Sequence, residues 1–212
     1  MPEAAALMAL ARRLLPAGCA VSSADPTRHW PLLSGEALPG ATPRRLAEFS
    51  AGRHAARSAL RTLGLPLTAI PMGDDRSPLW PEGIAGTISH DRTACLAAVR
   101  RGEGIGIDLE EEDALPEDLW KIVLLPEERH WVDAQPQSGL AATVVFSAKE
   151  AAYKAQYPAS RVLFGFDRLM VSLTAETFTA TFRAATGPFR AGHQLHGRWG
   201  RAAGHVLTTV AI

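Results

Sequence analysis

Phe49–Ala59 reads FSAGRHAARSA and Phe146–Gln156 reads FSAKEAAYKAQ. The two stretches lie 97 residues apart and share four of eleven positions, a Phe, a Ser and two Ala. Each falls in a helical pattern. Around the first, Thr42 is a natural N-cap, Pro43 suits the first helical position and Gly64 suits the stop, so a helix is expected over Pro43–Leu63. Its apolar stripe runs Leu46, Phe49, Ala56, Leu60, Leu63, and the 3.6-residue period places Arg53 where another apolar side chain belongs. A second long helix is expected over Gly139–Tyr157. In this register Arg53 corresponds to Glu150 and Arg57 to Lys154. If a pseudo-twofold axis relates two halves of the chain, a charged face from each helix meets the other at one cleft.

Working outward, β-rich runs over Gly83–His90, Thr93–Arg100 and Gly104–Glu110 follow the first helix, and their short glycine-bearing turns read as an antiparallel meander. Two short helical segments, Pro116–Leu124 and Pro126–Asp133, lead into the second helix. Four more β runs close the chain: Phe166–Thr174, Thr177–Ala185, His193–Arg201 and His205–Ile212. Helix, meander, helices, meander is an α+β order. The expected fold is a pseudo-dimer of two similar halves, each a long helix on a small antiparallel sheet. Residues 1–103 form the N-terminal half and 104–212 the C-terminal half, with the active site between them in one compact body.

Composition narrows the function. The 212 residues are 47% hydrophobic and 21% charged, which is enough apolar material for a real core. Twenty-two basic residues balance twenty-two acidic ones, so a general nucleic-acid binder, which needs a basic excess, is excluded. Local charge must carry any anion recognition. Two cysteines, Cys19 and Cys95, support neither a disulfide framework nor a cysteine metal cage. The opening MPEAAALMALARRLLPAGCA carries Glu3 ahead of its apolar run and Arg12 and Arg13 behind it, the reverse of a secretory signal, and reads as an amphipathic helix. No stretch approaches the ~20 apolar residues of a membrane span. A cytoplasmic protein is expected.

Asp108 and Glu110, in GIGIDLE, leave one face of a strand two residues apart. Carboxylates so placed repel unless a cation joins them, and one or two carboxylates plus phosphates are the usual protein share of a Mg²⁺ shell. The alternative is a strand end running into the solvated acidic loop Glu111–Asp113. Glu150 and Lys154 share a helix face at i and i+4. They suit either a surface ion pair or a third metal-shell carboxylate beside a lysine that neutralises a phosphoryl oxygen. Ser89 and His90 end a strand in GTISHD, where a hydroxyl and turn amides make a usable phosphate cradle. Arg53, Arg57 and Arg76 are the candidate anion clamp, since a guanidinium fork matches phosphate geometry. His193 and His196, with no third ligand nearby, are read as structural.

Taken in order and spacing, GTISHD, GIGIDLE and FSAKEAAYK resemble the 4'-phosphopantetheinyl transferases of the Sfp type. RSPLWPEGIAGTISH and AGRHAARSAL look like the subgroup that activates enterobactin-type peptide synthetases. The motifs run from about Arg53 to Lys154, and the tandem length suits the monomeric form. The resemblance implies that Asp108, Glu110 and Glu150 bind Mg²⁺ and that Lys154 contacts the diphosphate. It also implies that Ser89 and His90 hold the nucleotide end of coenzyme A, with Arg53 and Arg76, and less directly Arg57, as basic contacts to its phosphates. Glu128, in LPEERHW, falls where the family has a proposed general base. The family's lysine-bearing N-terminal segment is not visible, and Arg28 stands in for it. The reaction implied is transfer of 4'-phosphopantetheine from coenzyme A to a serine of an apo acyl or peptidyl carrier protein. The pathway served is a siderophore, nonribosomal peptide, polyketide or fatty-acid synthase. The alternative is a non-catalytic module that binds Mg²⁺ and coenzyme A, or the carrier protein alone.

Overall fold

The computed structural model describes residues 2–212. The elements run α1 (Pro2–Leu14), β1 (Ala20–Ala24), α2 (Pro43–Thr62), β2 (Ile84–His90), β3 (Cys95–Arg101) and β4 (Ile105–Glu111). Then come α3 (Glu117–Val123), α4 (Pro126–Asp133), α5 (Ser138–Ser160), β5 (Leu169–Leu173), β6 (Thr177–Phe182), β7 (Gln194–Ala202) and β8 (His205–Ala211). The strands form a three-stranded sheet in the order β1-β3-β2 and a five-stranded sheet in the order β4-β8-β7-β6-β5, all pairings antiparallel. The fold is α+β, with one long helix on each sheet.

In the first half, α2 starts at Thr42, whose side chain accepts a hydrogen bond from Arg45 N. The helix buries Ala55, Ala56, Ala59 and Leu60 against Ala97 and Val99 of β3. In the second half, α5 lays Ala148, Ala151, Ala152 and Ala155 into a core with Phe178, Phe182 and Val210. The opening amphipathic helix is also present. Leu7, Leu10, Ala11 and Leu14, the i, i+3, i+4, i+7 set, pack on Val21, Leu96, Ile105 and Leu207.

Two elements differ from the sequence expectation. β1 was not foreseen, because AVSSA is too short and too polar to stand out as a strand. It occupies one edge of β3, with Ala20 opposite Val99 and Ala24 opposite Cys95. β2 takes the other edge. Both edges of β3 are therefore filled, and β4 cannot complete the expected meander. It pairs instead with β8, Asp108 opposite Thr208 and Glu110 opposite Val206.

β4 still lies alongside β2, joined to it by side chains. Thr87 Oγ1 accepts from Ile107 N at 3.2 Å, and Ser89 Oγ accepts from Leu109 N at 3.2 Å. The constant offset of 20 residues means that the two strands run in the same direction. This hydroxyl seam is where the two sheets abut.

The depth at which α5 sits on β4 is set by glycines. A Cβ on Gly104 or Gly106 would run into the carbonyl oxygens of Ala155 and Ala151, respectively. Helix and strand backbones thus touch directly. Gly106→Ala should lower the unfolding free energy by about 1–3 kcal/mol, the usual cost of overpacking a filled core. A urea titration checks this, and an unchanged midpoint would mean that α5 does not ride on this glycine.

Candidate active site

Three side chains converge at the end of the seam. Lys154, from α5, places Nζ 2.6 Å from Asp108 Oδ1 and donates to Ser89 Oγ at 3.2 Å. Ser89 donates to the same Asp108 Oδ1 at 3.0 Å while accepting from Leu109 N. The serine hydroxyl is thereby saturated. Asp108 is only 3% exposed, and its second oxygen, Oδ2, is buried with no hydrogen-bond partner. A buried carboxylate oxygen left bare is costly unless a cation or donor comes to it.

Glu110 projects from the same face of β4. Burial, and then the charge of Asp108, push its carboxyl up to about 8. Glu150 is also raised by burial; Lys154 pulls it back and the charge of Asp108 adds to the rise. Two acids raised by burial beside a bare carboxylate oxygen make a concentration of negative charge that a cation would relieve. Among the described residues no three Asp, Glu, His or Cys side chains already close into a metal cage. The acids therefore face a common region without forming a finished coordination shell.

Two cavities flank this cluster. One, of about 440 Å³, is lined by Lys154, Arg76, Arg161, Trp80, Tyr153 and Tyr157 among others. The indole of Trp80 lies where a Cβ on Gly86 would be, so the glycine makes room for it. The other, of about 530 Å³, is lined by Arg44, Glu48, His90, Glu110 and Thr143 among others. A roomier hollow of about 800 Å³ near α1 is walled by Glu3, Asp25, Glu111, Glu112 and Asp113, with Arg92 their basic neighbour, and suits no anion.

The expected anion clamp separates into different fates. Arg76 lines the first cavity and Arg53 remains a candidate. Arg53 is 5% exposed, stacks 4.2 Å over the Phe49 ring, and leaves Nε buried without a partner. Burial lowers its pKa to about 10, with Glu36 opposing and Arg57 and Arg45 adding to the fall, so it stays charged at neutral pH. Arg57 is corrected: it forms a buried ion pair with Glu36 and donates to Pro31 O at 2.6 Å. Glu36 in turn holds Leu33 N and Ile70 N, each at 2.9 Å. Arg57 is thus consumed in pinning the 31–36 segment to α2 and is not free for phosphate. No ion pair joins Arg53 or Arg57 to Glu150 among the described residues; Arg57 pairs with Glu36 and Lys154 with Asp108, so the two charged helix faces serve different partners. Arg28 lies 5.2 Å over the Trp30 ring and lines neither flanking cavity.

Glu128 is corrected as well. It is 3% exposed, and both oxygens are occupied: Oε2 accepts from Leu125 N at 2.7 Å and Lys149 Nζ at 2.7 Å, and Oε1 accepts from Val171 N at 2.6 Å. Lys149 completes the network by donating to Val123 O and Phe166 O. A carboxylate with its lone pairs filled by core donors cannot reach an incoming hydroxyl. It reaches back from the first turn of α4 to hold the N–H of the capping residue Leu125, and it is half of a core ion pair.

Arg45 is a residue that sequence reasoning missed. It lies 2.8 Å from His90 Nε2 and 3.1 Å from Glu48. His90 is kept below its ordinary value by burial and then by the charge of Arg45, so the ring is neutral and accepts at Nε2. The signal was present in PRRLAEF: two arginines and no acid in a first helical turn oppose the helix dipole.

Comparison with known proteins agrees with this architecture. Residues 34–100 match the model of the 4'-phosphopantetheinyl transferase N-terminal domain, and 104–210 match that of the 4'-phosphopantetheinyl transferase superfamily. The chain is 37% identical to 4'-phosphopantetheinyl transferase Svp of Streptomyces mobaraensis, over 81% of this chain and 74% of that one. It is 33% identical to 4'-phosphopantetheinyl transferase PptT of Mycobacterium tuberculosis, over 80% of each. With enterobactin synthase component D of Salmonella typhimurium it shares 37% identity, over 82% of this chain and 75% of that one. A two-half α+β transferase with a lysine-bridged carboxylate seam is the class these features define. The chain belongs to the 4'-phosphopantetheinyl transferase family, whose members use coenzyme A.

Two outcomes follow from this geometry. Glu128→Gln should cost about 3–5 kcal/mol of stability by stranding Lys149 in the core. Its kcat per folded molecule should not show the roughly 10²–10⁴-fold drop that losing a general base brings; a drop of that size at unchanged stability would restore the base.

The carboxyl of Glu110 titrates at an ordinary 4.5 in the unfolded chain and at about 8 in the fold. The folded form therefore holds the extra proton between those values, and stability attributable to Glu110 is lost as pH rises through that window. Urea midpoints of the chain and of Glu110→Gln in metal-free buffer should diverge across it. A pH-independent difference would show that Glu110 is not held protonated by the fold.

Proposed function

We propose that this protein transfers 4'-phosphopantetheine from coenzyme A to a serine hydroxyl of an apo carrier protein, with Mg²⁺ as cofactor, releasing adenosine 3',5'-bisphosphate. The observation that carries the reading is the bare, buried Asp108 Oδ2 beside Lys154, set between two cavities that carry basic side chains. Such a carboxylate would take a cation, and the basic cavity walls on either side would take a polyanion.

Asp108, Glu110 and Glu150 are the residues that would hold the metal. The metal, when bound, neutralises charge on the diphosphate. Lys154 offers a partly exposed ammonium, 27% accessible, for the same purpose. Asp108 and Ser89 fix the position of that ammonium so that it need not reorganise as charge shifts to the leaving phosphate. Arg53, Arg76 and His90 are the proposed coenzyme A contacts, with Arg45 behind His90, while Ser89, its hydroxyl already filled, serves through the ammonium it positions. As phosphate approaches, His90 gains a proton or yields Arg45, because the neutral ring now uses Nε2 to accept.

The serine oxygen attacks the phosphorus nearer pantetheine, and its hydroxyl proton passes to water or to a departing phosphate oxygen. The new phosphodiester forms as the bond to the bridging oxygen breaks, and the second phosphate leaves on the adenosine bisphosphate. In-line placement of the acceptor against that bond is the main demand on the fold. Both halves, 1–103 and 104–212, supply groups from one chain, so a monomer suffices. No helix among the described residues is long and apolar enough to cross a membrane, and a cytoplasmic enzyme working on siderophore, peptide or polyketide carriers fits the reading.

The test is incubation with coenzyme A, Mg²⁺ and a panel of apo carrier proteins, read by intact mass. At least one carrier should gain the phosphopantetheine mass, and Asp108→Ala should abolish the gain while the variant stays folded. Tight coenzyme A binding without transfer to any carrier would make the protein a binding module. An active Asp108→Ala would remove Asp108 from the chemistry.

A further inference from the structure

One carboxylate beside the Lys154 cavity has no part in the chemistry above. The Pro71–Leu79 loop folds back on itself: Leu79 N donates to Pro71 O at 2.9 Å, Gly73 N to Ser77 O at 2.8 Å and Arg76 N to Gly73 O at 2.9 Å. At its tip Arg76 adopts φ +65°, a left-handed conformation that non-glycine residues keep only when their surroundings impose it. The neighbouring Asp75 supplies that constraint. Its Oδ1 accepts from Ser77 N at 2.9 Å and Ser77 Oγ at 2.7 Å, which closes the turn. Its Oδ2 accepts from Tyr157 OH at 2.8 Å, with Arg161 Nη1 at 3.4 Å, which ties the turn to the end of α5. Gly73 is required for this, since a Cβ there would stand 2.9 Å from Asp75 Oδ1.

The electrostatics point the same way. Arg76, Arg161 and Lys154 line the cavity, and Asp75 is the one carboxylate among the described residues that line it. Asp75 spends its charge on Tyr157 and Arg161, which leaves Arg76 without an ion-pair partner among the described residues. The loop's backbone is pinned while its guanidinium stays available to a phosphate.

We propose that Asp75 is a positioning residue for coenzyme A: it clasps the Pro71–Leu79 loop to α5 and so holds Arg76 over the cavity beside Lys154. This rests on the transfer reading above, and the two can fail separately.

The experiment uses the full chain with coenzyme A as the probe. Asp75→Asn keeps an acceptor for Ser77 but cannot accept from both Tyr157 and Arg161 as a carboxylate does. It should raise the KM and the calorimetric Kd for coenzyme A by roughly tenfold, the scale of one lost charge-assisted hydrogen bond. The kcat at saturating coenzyme A and the KM for the carrier should hold. Because Asp75 acts through Arg76, adding Asp75→Asn to Arg76→Ala should cost nothing more in coenzyme A affinity.

Additive losses, or a fall in kcat in place of a rise in KM, would overturn the proposal, as would unchanged affinity in Asp75→Asn. Should that variant fail to fold, Tyr157→Phe, which removes a single donor, must still raise the KM for coenzyme A, and its failure to do so is equally decisive. Unmodified protein that binds coenzyme A yet modifies no carrier would sink the transfer reading while leaving the clasp testable by Kd.

Discussion

The hydroxyl of Ser89 joins the two halves of this molecule. It accepts the backbone N–H of Leu109, donates to Asp108 and accepts from Lys154. One small side chain on β2 thus holds a strand of the other sheet, an acid on that strand and a lysine from the helix above it. Thr87 repeats the backbone bond two residues earlier. Side-chain hydroxyls here replace a backbone ladder, so the seam can carry functional groups that a continuous sheet would have filled with ladder bonds. The joint between the halves and the proposed site therefore share residues, and a change at Ser89 would loosen the grip on Asp108 and Lys154 as well as the seam.

The close approach of α5 to β4 sets the reach of the cluster. With Gly104 and Gly106 under Ala155 and Ala151, the helix axis sits lower than any side-chain-bearing strand would permit. Lys154 lies between those alanines in sequence, and its four-carbon stem must fold back to meet Asp108 at 2.6 Å. A higher helix would lengthen that contact and loosen the grip on the ammonium. The small residues of FSAKEAAYKA thus act as spacers for Glu150 and Lys154, which explains why alanine, otherwise uninformative, belongs to the pattern.

Much of this was legible in the sequence because the signals are local. The N-cap Thr42, the stop at Gly64 and the 3.6-residue stripe marked the first long helix, and seven of the eight strands read directly from β-rich runs between turns. What escaped depends on partners distant in sequence. β4 pairs with β8 a hundred residues away, and nothing in GIGIDLE reveals that β1 already fills the free edge of β3. The core partners of Arg57 and Glu128 escaped for the same reason. A charged residue on a helix looks identical whether its partner is a substrate or a buried side chain. Glu36 and Lys149 declare themselves only when the chain is folded. Arg45 could have been found, since its unfavourable place in a helical first turn is a local conflict.

Satisfaction, more than burial, separates the charges that build the fold from those that serve chemistry. The repeat pairs Arg57 of α2 with Lys154 of α5, and each is held by an acid of its own half. Glu36 uses both oxygens: Arg57 and Leu33 N on one, Ile70 N on the other. Glu128, the acid opposite Lys149, is likewise filled. Asp108 alone of the three keeps an oxygen buried and bare, next to a second acid forced to keep its proton. An ion pair closed on every side can only stabilise or destabilise the core, and exchanging it for apolar groups is often neutral. One left open has a standing electrostatic deficit that only a ligand removes. In two halves built on one helix motif, the first closed its pair into structure and the second left its pair unfinished, which is the observation the proposed site rests on.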